Sequence, residues 1–335
     1  MTQKFTIKEI AFQAGLSAAT VDRALHARSH VRQITKDRVA AAIEELERQY
    51  AASRIEGRRF TIDVFIQSPR RFFSAVRRAF EAELPLVKPA SIRARFHLFE
   101  RIDDRDIVAK LKAIARRGSH GIVLKCPATP RIEACLSQIA ERGIPVVTYV
   151  TDVADPLRLA YVGMENRKAG ATAAYLMQRM RQRKGGILIT LSSQLFLGEE
   201  QRRVGFADHM ARHLPDTPII TVSEGLGVNK TTKASVLSAL AQNPDITCVY
   251  SIGGGNRAVL EAFSEAGRDI DVFAAHDLDD TNRRLLDEGR LSFVLHHDFR
   301  QDARRVALRL LKYHRQLPVD VSIEETEISI ACPLL

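Results

Sequence analysis

Cysteine is scarce in this 335-residue chain, and its four copies do not cluster. Cys126, Cys135, Cys248 and Cys332 show no paired metal-ligand spacing, so they read as reduced core thiols of a cytosolic protein. No run reaches eighteen apolar residues, which removes a membrane-spanning helix, and the first residues lack the pattern of a secretion signal. Also missing are Gly-x-Ser-x-Gly, His-Glu-x-x-His, a phosphate-binding loop and the dinucleotide spacing Gly-x-Gly-x-x-Gly. With no convergent nucleophile and base, an enzyme is not expected, and no cofactor or metal is called for. No heptad tail closes the chain, so a dimer is the expected assembly rather than a tetramer.

What is present is globular: 45% hydrophobic residues with 27% charged ones exclude a disordered chain. The net charge of +10 favours contact with a polyanion, but only weakly. Residues 1–59 hold eleven Lys and Arg against seven acids, so most of the excess lies elsewhere. Charge alone does not mark a DNA binder.

Pattern does more, and it is densest over residues 5–50. Ile7, Ile10, Ala11 and Ala14 keep one helical face apolar. Gly15 permits a left-handed cap, and Ser17 is a good N-cap for a second helix from Ala18 to about Leu25. That helix turns Val21, Ala24 and Leu25 inward and leaves Thr20 and Arg23 outside. A third helix starts near Thr35 and buries Val39, Ile43 and Leu46. Two short helices about a turn apart, the second presenting small polar and basic groups, fit a major groove. An ordinary three-helix packing module has the same spacing, so the pattern alone leaves both readings open.

The residues themselves carry a resemblance. Thr6-Ile7-Lys8-Glu9-Ile10-Ala11, Ala14-Gly15-Leu16-Ser17, Thr20-Val21 with Arg23, Ser29-His30-Val31 and the stretch 35–39 resemble the DNA-binding headpiece of the lactose-repressor (LacI) family. The resemblance implies that Ala18, Ala19 and Arg23 face the bases, Arg23 on a guanine edge and the alanines through methyl contacts. It implies phosphate anchors at Thr6, Ser17, Thr20 and His30. Two departures stand out. Asp22 replaces the usual serine, and either holds Arg23 or accepts from a cytosine amino group. The family's Tyr-x-Pro-Asn segment and leucine wedge are missing after Tyr50, leaving Ile55 as the one candidate wedge and Arg54, Arg58 and Arg59 as backbone contacts. Little DNA bending is therefore expected.

From Phe60 the period changes. Short β-branched runs such as FTIDVFIQ, GIVLKC, IPVVTYV, GILITL, ITCVYSI and DVFAAH alternate with helical stretches, as in parallel sheets covered on both faces. The expected architecture is α/β: an all-α helix-turn-helix headpiece (1–50), a short linker (51–60), then two doubly wound parallel-sheet subdomains (61–335). The first subdomain is expected over about 61–162 and 294–317, the second over about 163–293 and 318–335. This part resembles the periplasmic-binding-protein type I fold, the sensing core of the same family.

Ligands of open α/β sheets gather beyond the carboxyl ends of strands, so the loops there are the candidates. Phe72 and Phe73 are either core or, as the resemblance implies, faces that sandwich a sugar ring. Arg70 stands where that family has asparagine. Asp152 ends a strand where a carboxylate accepts two hydroxyls, although a solvated loop acid reads the same. Arg202 matches the family's Arg-x-x-Gly-aromatic pattern, an arginine fork reaching the pocket. The resemblance also places Asn256 (after the glycine run 253–255), Asp277 and His297 in the pocket.

The resulting expectation is a sequence-specific DNA-binding regulator, a repressor, working as a homodimer on operator DNA. A monosaccharide, polyol or sugar acid in the cleft between subdomains would control it. A solute-binding receptor or a carbohydrate-modifying enzyme of the same fold is the alternative, which residues 5–50 and the missing catalytic motifs oppose.

Overall fold

In a computed structural model of the chain, residues 5–26, 31–55, 59–88, 90–223, 229–318 and 320–333 are described. The helical unit comes first. Helix α1 (Ile7–Ala14) opens with a reciprocal capping box: Thr6 accepts from the Glu9 amide while Glu9 accepts from the Thr6 amide. It ends on Gly15, whose φ of 61° is the left-handed cap that a side chain would oppose. Helix α2 (Ala18–Leu25) is capped by Ser17, which accepts from the Thr20 amide at 3.2 Å. Helix α3 (Gln33–Ile55) closes the unit over a core of Ile10, Ala11, Val21 and Val39. Ile43 and Leu46 are half-buried against that core. Helix α3 continues five residues past the expected boundary at 50, so the first half of the expected linker is helical.

The α/β unit holds two sheets. Strands β1 (Arg59–Gln67), β2 (Ser91–Phe99), β3 (Ile122–Lys125), β4 (Val146–Tyr149) and β5 (Ala160–Val162) are ordered β2-β1-β3-β4-β5. Strands β6 (Gly186–Thr190), β7 (Ile219–Val222), β8 (Ile246–Ser251), β9 (Val272–His276), β10 (Phe293–His296) and β11 (Ser329–Ala331) are ordered β11-β10-β9-β8-β6-β7. Among the pairings described, only β10 with β11 is antiparallel. Strands β1, β3, β4, β6, β8, β9 and β10 are buried almost throughout because helices cover both faces, which is why they read as continuous apolar runs. Strands β2, β7 and β11, at sheet edges, are mostly half-buried or exposed.

The helices that matter for the site start at carboxyl ends of strands. They are α4 (Arg70–Glu83) after β1, α7 (Asn166–Met180) after β5, α8 (Leu197–His213) after β6, α10 (Asn256–Glu265) after β8 and α12 (Phe299–Tyr313) after β10. Helix α5 (Asp104–Arg117), α6 (Pro130–Ala140), α9 (Asn229–Gln242) and α11 (Asp280–Asp287) complete the layers. Strand β10 belongs to the second sheet while α12 packs on α4, β4 and β5. The chain thus returns to the first subdomain just after His296 rather than at residue 294. The last strand is short: only residues 329–331 pair with β10.

Candidate functional site

The helical unit offers one chemically distinct face. Ala18, Ala19 and Arg23 are exposed on α2 and Thr20 is half-buried. Arg23 rests on its own helix, its Nε donating to the Ala19 carbonyl at 3.1 Å, so the guanidinium costs nothing in burial. Asp22 pairs with His26, 3.1 Å away, an arrangement the sequence reading did not consider. Thr6 and Ser17, expected as phosphate anchors, are both helix caps here, and the Ser17 hydroxyl also meets that of Thr20 at 2.8 Å. His30 and Arg58 lie outside the described residues, as do the side chains of Arg54 and Ile55 in the last turn of α3.

In the α/β unit a cavity lies between the carboxyl ends of the two sets of strands. The first subdomain contributes Ser68, Arg71, Phe72, Lys125 and Thr151. The second contributes Phe196, Glu199, Arg202, His276, Asp277 and Asp279. The two sides touch directly. Arg71 Nε is 3.0 Å from Asp279 Oδ2, the Gly198 amide donates to Thr151 Oγ1 at 3.0 Å, and the Ala128 amide donates to the Leu195 carbonyl at 3.0 Å. Gly254 permits the first contact: a Cβ there would stand 1.7 Å from Arg71 Nη2, on a backbone with φ of 86°.

Buried polar groups normally find partners. Among the described residues nine buried side-chain atoms have none, and four belong to residues lining this cavity: Ser68 Oγ, Arg202 Nη2, His276 Nδ1 and Asp277 Oδ1. Gln67 Oε1, Tyr149 OH, Asn256 Oδ1 and His297 Nε2 are also unpartnered, on residues at the same strand ends or the helix starts that follow them. Donors and acceptors are mixed, which suits a ligand bearing hydroxyl groups. Burial lowers the Lys125 amine below its ordinary range, with Glu199 and Asp277 opposing that shift. Burial also pushes His276 well down, aided by Arg202 and His297, so its imidazole is neutral and Tyr250 holds its Nε2 at 2.7 Å.

Three of the eight expected effector residues line the cavity: Phe72, Arg202 and Asp277. Arg202 is held by Asn166, whose Oδ1 accepts from its Nε at 2.8 Å. The others are displaced for local reasons. Pro69 starts α4 so that positions 71 and 72 face the cavity; Arg70 is exposed, its amide on Glu100, and Phe73 is half-buried to the side. Asp152 turns back into its own subdomain, accepting from Thr148 Oγ1 at 2.6 Å, the Val153 amide at 2.9 Å and Arg158 Nε at 2.6 Å. Thr151 takes the inward position instead. Asn256 sits one layer behind, donating to Asn282 Oδ1 at 2.6 Å. His297 is fully buried at the return crossing, hydrogen-bonded to Asp302, with Nε2 3.8 Å from Asp277 Oδ1. The sequence reading missed Arg71, Lys125, Glu199 and Asp279. A lysine closing the apolar run GIVLK was the one visible signal.

A helix-turn-helix unit followed by a two-sheet, cleft-bearing unit defines a DNA-binding regulator with a sensor domain, and not an enzyme. The chain belongs to the periplasmic binding protein domain family, which matches residues 64–315, and carries at residues 6–49 the DNA-binding domain of the bacterial regulatory proteins of the lacI family. No curated protein matches the chain. Solved structures share its fold at low identity. A glucose-galactose binding protein, GanP from Geobacillus stearothermophilus, is 18% identical with a TM-score of 0.71, over 83% of this chain and 98% of that one. A putative LacI transcriptional regulator from Bacteroides fragilis is 16% identical with a TM-score of 0.68, over 82% and 96%. A solute-binding protein from Agrobacterium vitis bound with α-D-tagatopyranose is 18% identical with a TM-score of 0.70, over 82% and 94%. Among the described residues no helix is long and apolar enough to cross a membrane.

Proposed function

We propose that this regulator is a repressor whose operator binding is set by a small polyhydroxylated effector held between Phe72, Arg202 and Asp277. The observation that carries this reading is the group of buried, unpartnered polar atoms around one cavity. Each such atom costs free energy until a ligand completes its hydrogen bond. The sugar-binding proteins that share the fold support the reading by analogy.

The space between the subdomains is about 40 Å³, room for a few waters. A sugar therefore enters only when the Arg71–Asp279 contact parts, and its binding changes how the subdomains close. Such a rotation, in a homodimer on a palindromic operator in the cytoplasm, would re-space the two headpieces. Arg23 would read a base and Ser17 and Thr20 would set the helix on the phosphates.

The test joins both ends. A thermal-shift panel of monosaccharides, polyols and sugar acids on the full chain should yield a ligand that is not consumed. That ligand should change affinity for an operator selected from random DNA. A ligand that binds without changing DNA affinity would remove the sensor role; a selection that enriches no sequence would remove the operator.

A further inference from the structure

We propose that the effector is a polyhydroxylated acid whose acid group is taken by Lys125 and Arg202 while Asp277 takes a hydroxyl. This deepens the reading of the cleft as the effector site and rests on it. Lys125 is the last residue of β3 and is buried. Its amine lies 4.3 Å from the centre of the Phe196 ring and 5.4 Å from that of Phe72, one ring from each subdomain. Its one described hydrogen bond is a long one, 3.4 Å to the Gln67 carbonyl. Rings stabilise an ammonium, but a desolvated cation is fully compensated only by an anion or several acceptors.

The carboxylates nearby are engaged elsewhere. Asp279 is held by Arg71 and by the amides of Thr281 and Asn282. Glu199 accepts from the Ser192 amide at 2.7 Å and the Ser192 hydroxyl at 2.5 Å. Each Glu199 oxygen thus already accepts one bond, and no described hydrogen bond joins either carboxylate to the lysine. Asp277 Oδ1 is unpartnered, 3.8 Å from His297. The donors left over are Lys125 Nζ, Arg202 Nη2 and Ser68 Oγ, and Asp277 Oδ1 is an acceptor left over. An acid group answers the first set, and a hydroxyl donating its proton answers Asp277.

The arrangement has a proton signature. The charged groups acting on Lys125 are Glu199 and Asp277, which favour its ammonium form, and Arg202, which opposes it; Cys126 adjoins it in the chain. Burial dominates and lowers the amine. An acid arriving beside it favours the ammonium form, so binding at any pH that leaves part of the free amine deprotonated takes up a fraction of a proton.

The experiment uses the full chain and a panel of three- to six-carbon aldoses, their aldonates and uronates, and their terminal phosphates. Thermal shift finds the binder, and calorimetry in two buffers of different ionisation enthalpy counts protons. An acid should bind at least tenfold more tightly than its uncharged parent, with a proton uptake that grows as the pH is raised through the range where the free amine deprotonates. Lys125→Met should lose tenfold or more for the acid, more than it loses for the neutral parent, and should lose the uptake. The carboxylate and phosphate arms say which acid it is. A neutral sugar that binds as well as its acid overturns the proposal yet keeps the cleft as effector site; this comparison needs no variant. A Lys125→Met protein that keeps the acid affinity overturns it as well. A panel silent throughout sinks both this proposal and the reading of the cleft.

Discussion

The headpiece and the cleft carry their chemistry in opposite ways. On α2 the candidate reading groups Ala18, Ala19 and Arg23 are exposed, and a small buried core around Ile10, Ala11, Val21 and Val39 does the folding. Around the cleft the candidate groups are themselves buried among strands, several with hydrogen bonds unfilled. A surface that reads DNA therefore costs the fold almost nothing, whereas a sensing cavity keeps a cost that a ligand can relieve. Substitutions should separate function from stability in the headpiece and mix the two in the cleft.

The sharpest break of that contrast is Asp302→Ala. Asp302 is fully buried on α12 and accepts from His297, from Arg305 at 3.0 Å and from Thr326 at 2.7 Å, tying α12 to the end of β10 and to the segment before β11. Removing it leaves a buried arginine and histidine uncompensated, a change worth about 3–5 kcal/mol. Denaturant unfolding should show that loss in the α/β unit, while hydrogen exchange in α1 and α2 stays as in wild type. A loss under about 1 kcal/mol would mean that this region is held by packing instead.

The next largest effect is acid-dependent and again belongs to the α/β unit. Burial of Asp63 in β1 opposes its ionisation, yet hydrogen bonds from His97 at 2.8 Å and Arg95 at 3.0 and 2.5 Å outweigh that and hold it at about 2. Arg117 adds a contact at 2.8 Å. The folded value lies below the ordinary carboxylate value, so the stabilisation is present above about pH 4 and is lost as pH falls toward 2. It amounts to roughly 2 kcal/mol. Asp63→Asn should flatten the acid limb of stability between these values; a limb of unchanged slope would assign it to other carboxylates.

How much of this was legible in the sequence follows the same divide. Helix caps are local, so Gly15 and Ser17 announced the end of α1 and the start of α2 correctly, while the capping box at Thr6, expected only as a phosphate anchor, was there to be read and was not. The strands were legible too, because burial on both faces writes itself as unbroken apolar runs. The cleft was legible where a short local pattern carries it: Arg-x-x-Gly-aromatic within α8 for Arg202, the end of β9 for Asp277 and the aromatic pair at the start of α4 for Phe72. Which of two neighbours turns inward depends on where a helix starts: Pro69 decides Arg71 over Arg70, and the tight turn with φ of 64° at Val150 precedes Thr151, which faces in where Asp152 does not. Partners distant in sequence decide the rest. Nothing near Lys125 in the chain says that Phe72 and Phe196 flank it.

Arg23→Ala sharpens the comparison from the headpiece side. The guanidinium is exposed and bonded only to its own helix among the contacts described, so folding stability should not move. Binding to the selected operator should weaken by about 1–3 kcal/mol more than binding to random DNA. Titration against both DNAs at two salt concentrations checks this, and equal losses on the two would remove Arg23 from base reading.

The smallest expected effect is the most diagnostic, because Ser17 holds two candidate roles at once. Its hydroxyl caps α2 through the Thr20 amide, and the same group is a candidate phosphate anchor. Ser17→Ala removes both roles and should cost about 1 kcal/mol of local stability. Ser17→Asp restores a capping oxygen at a helix N-terminus, which favours negative charge, but sets that charge where a phosphate would lie. The aspartate protein should therefore keep wild-type hydrogen exchange at the amides of α2 while losing affinity for operator and random DNA alike. The alanine protein should lose protection as well as affinity. If the aspartate protein binds DNA as wild type does, Ser17 is a cap alone, and the surface that meets the phosphates begins further along the helix, at Thr20.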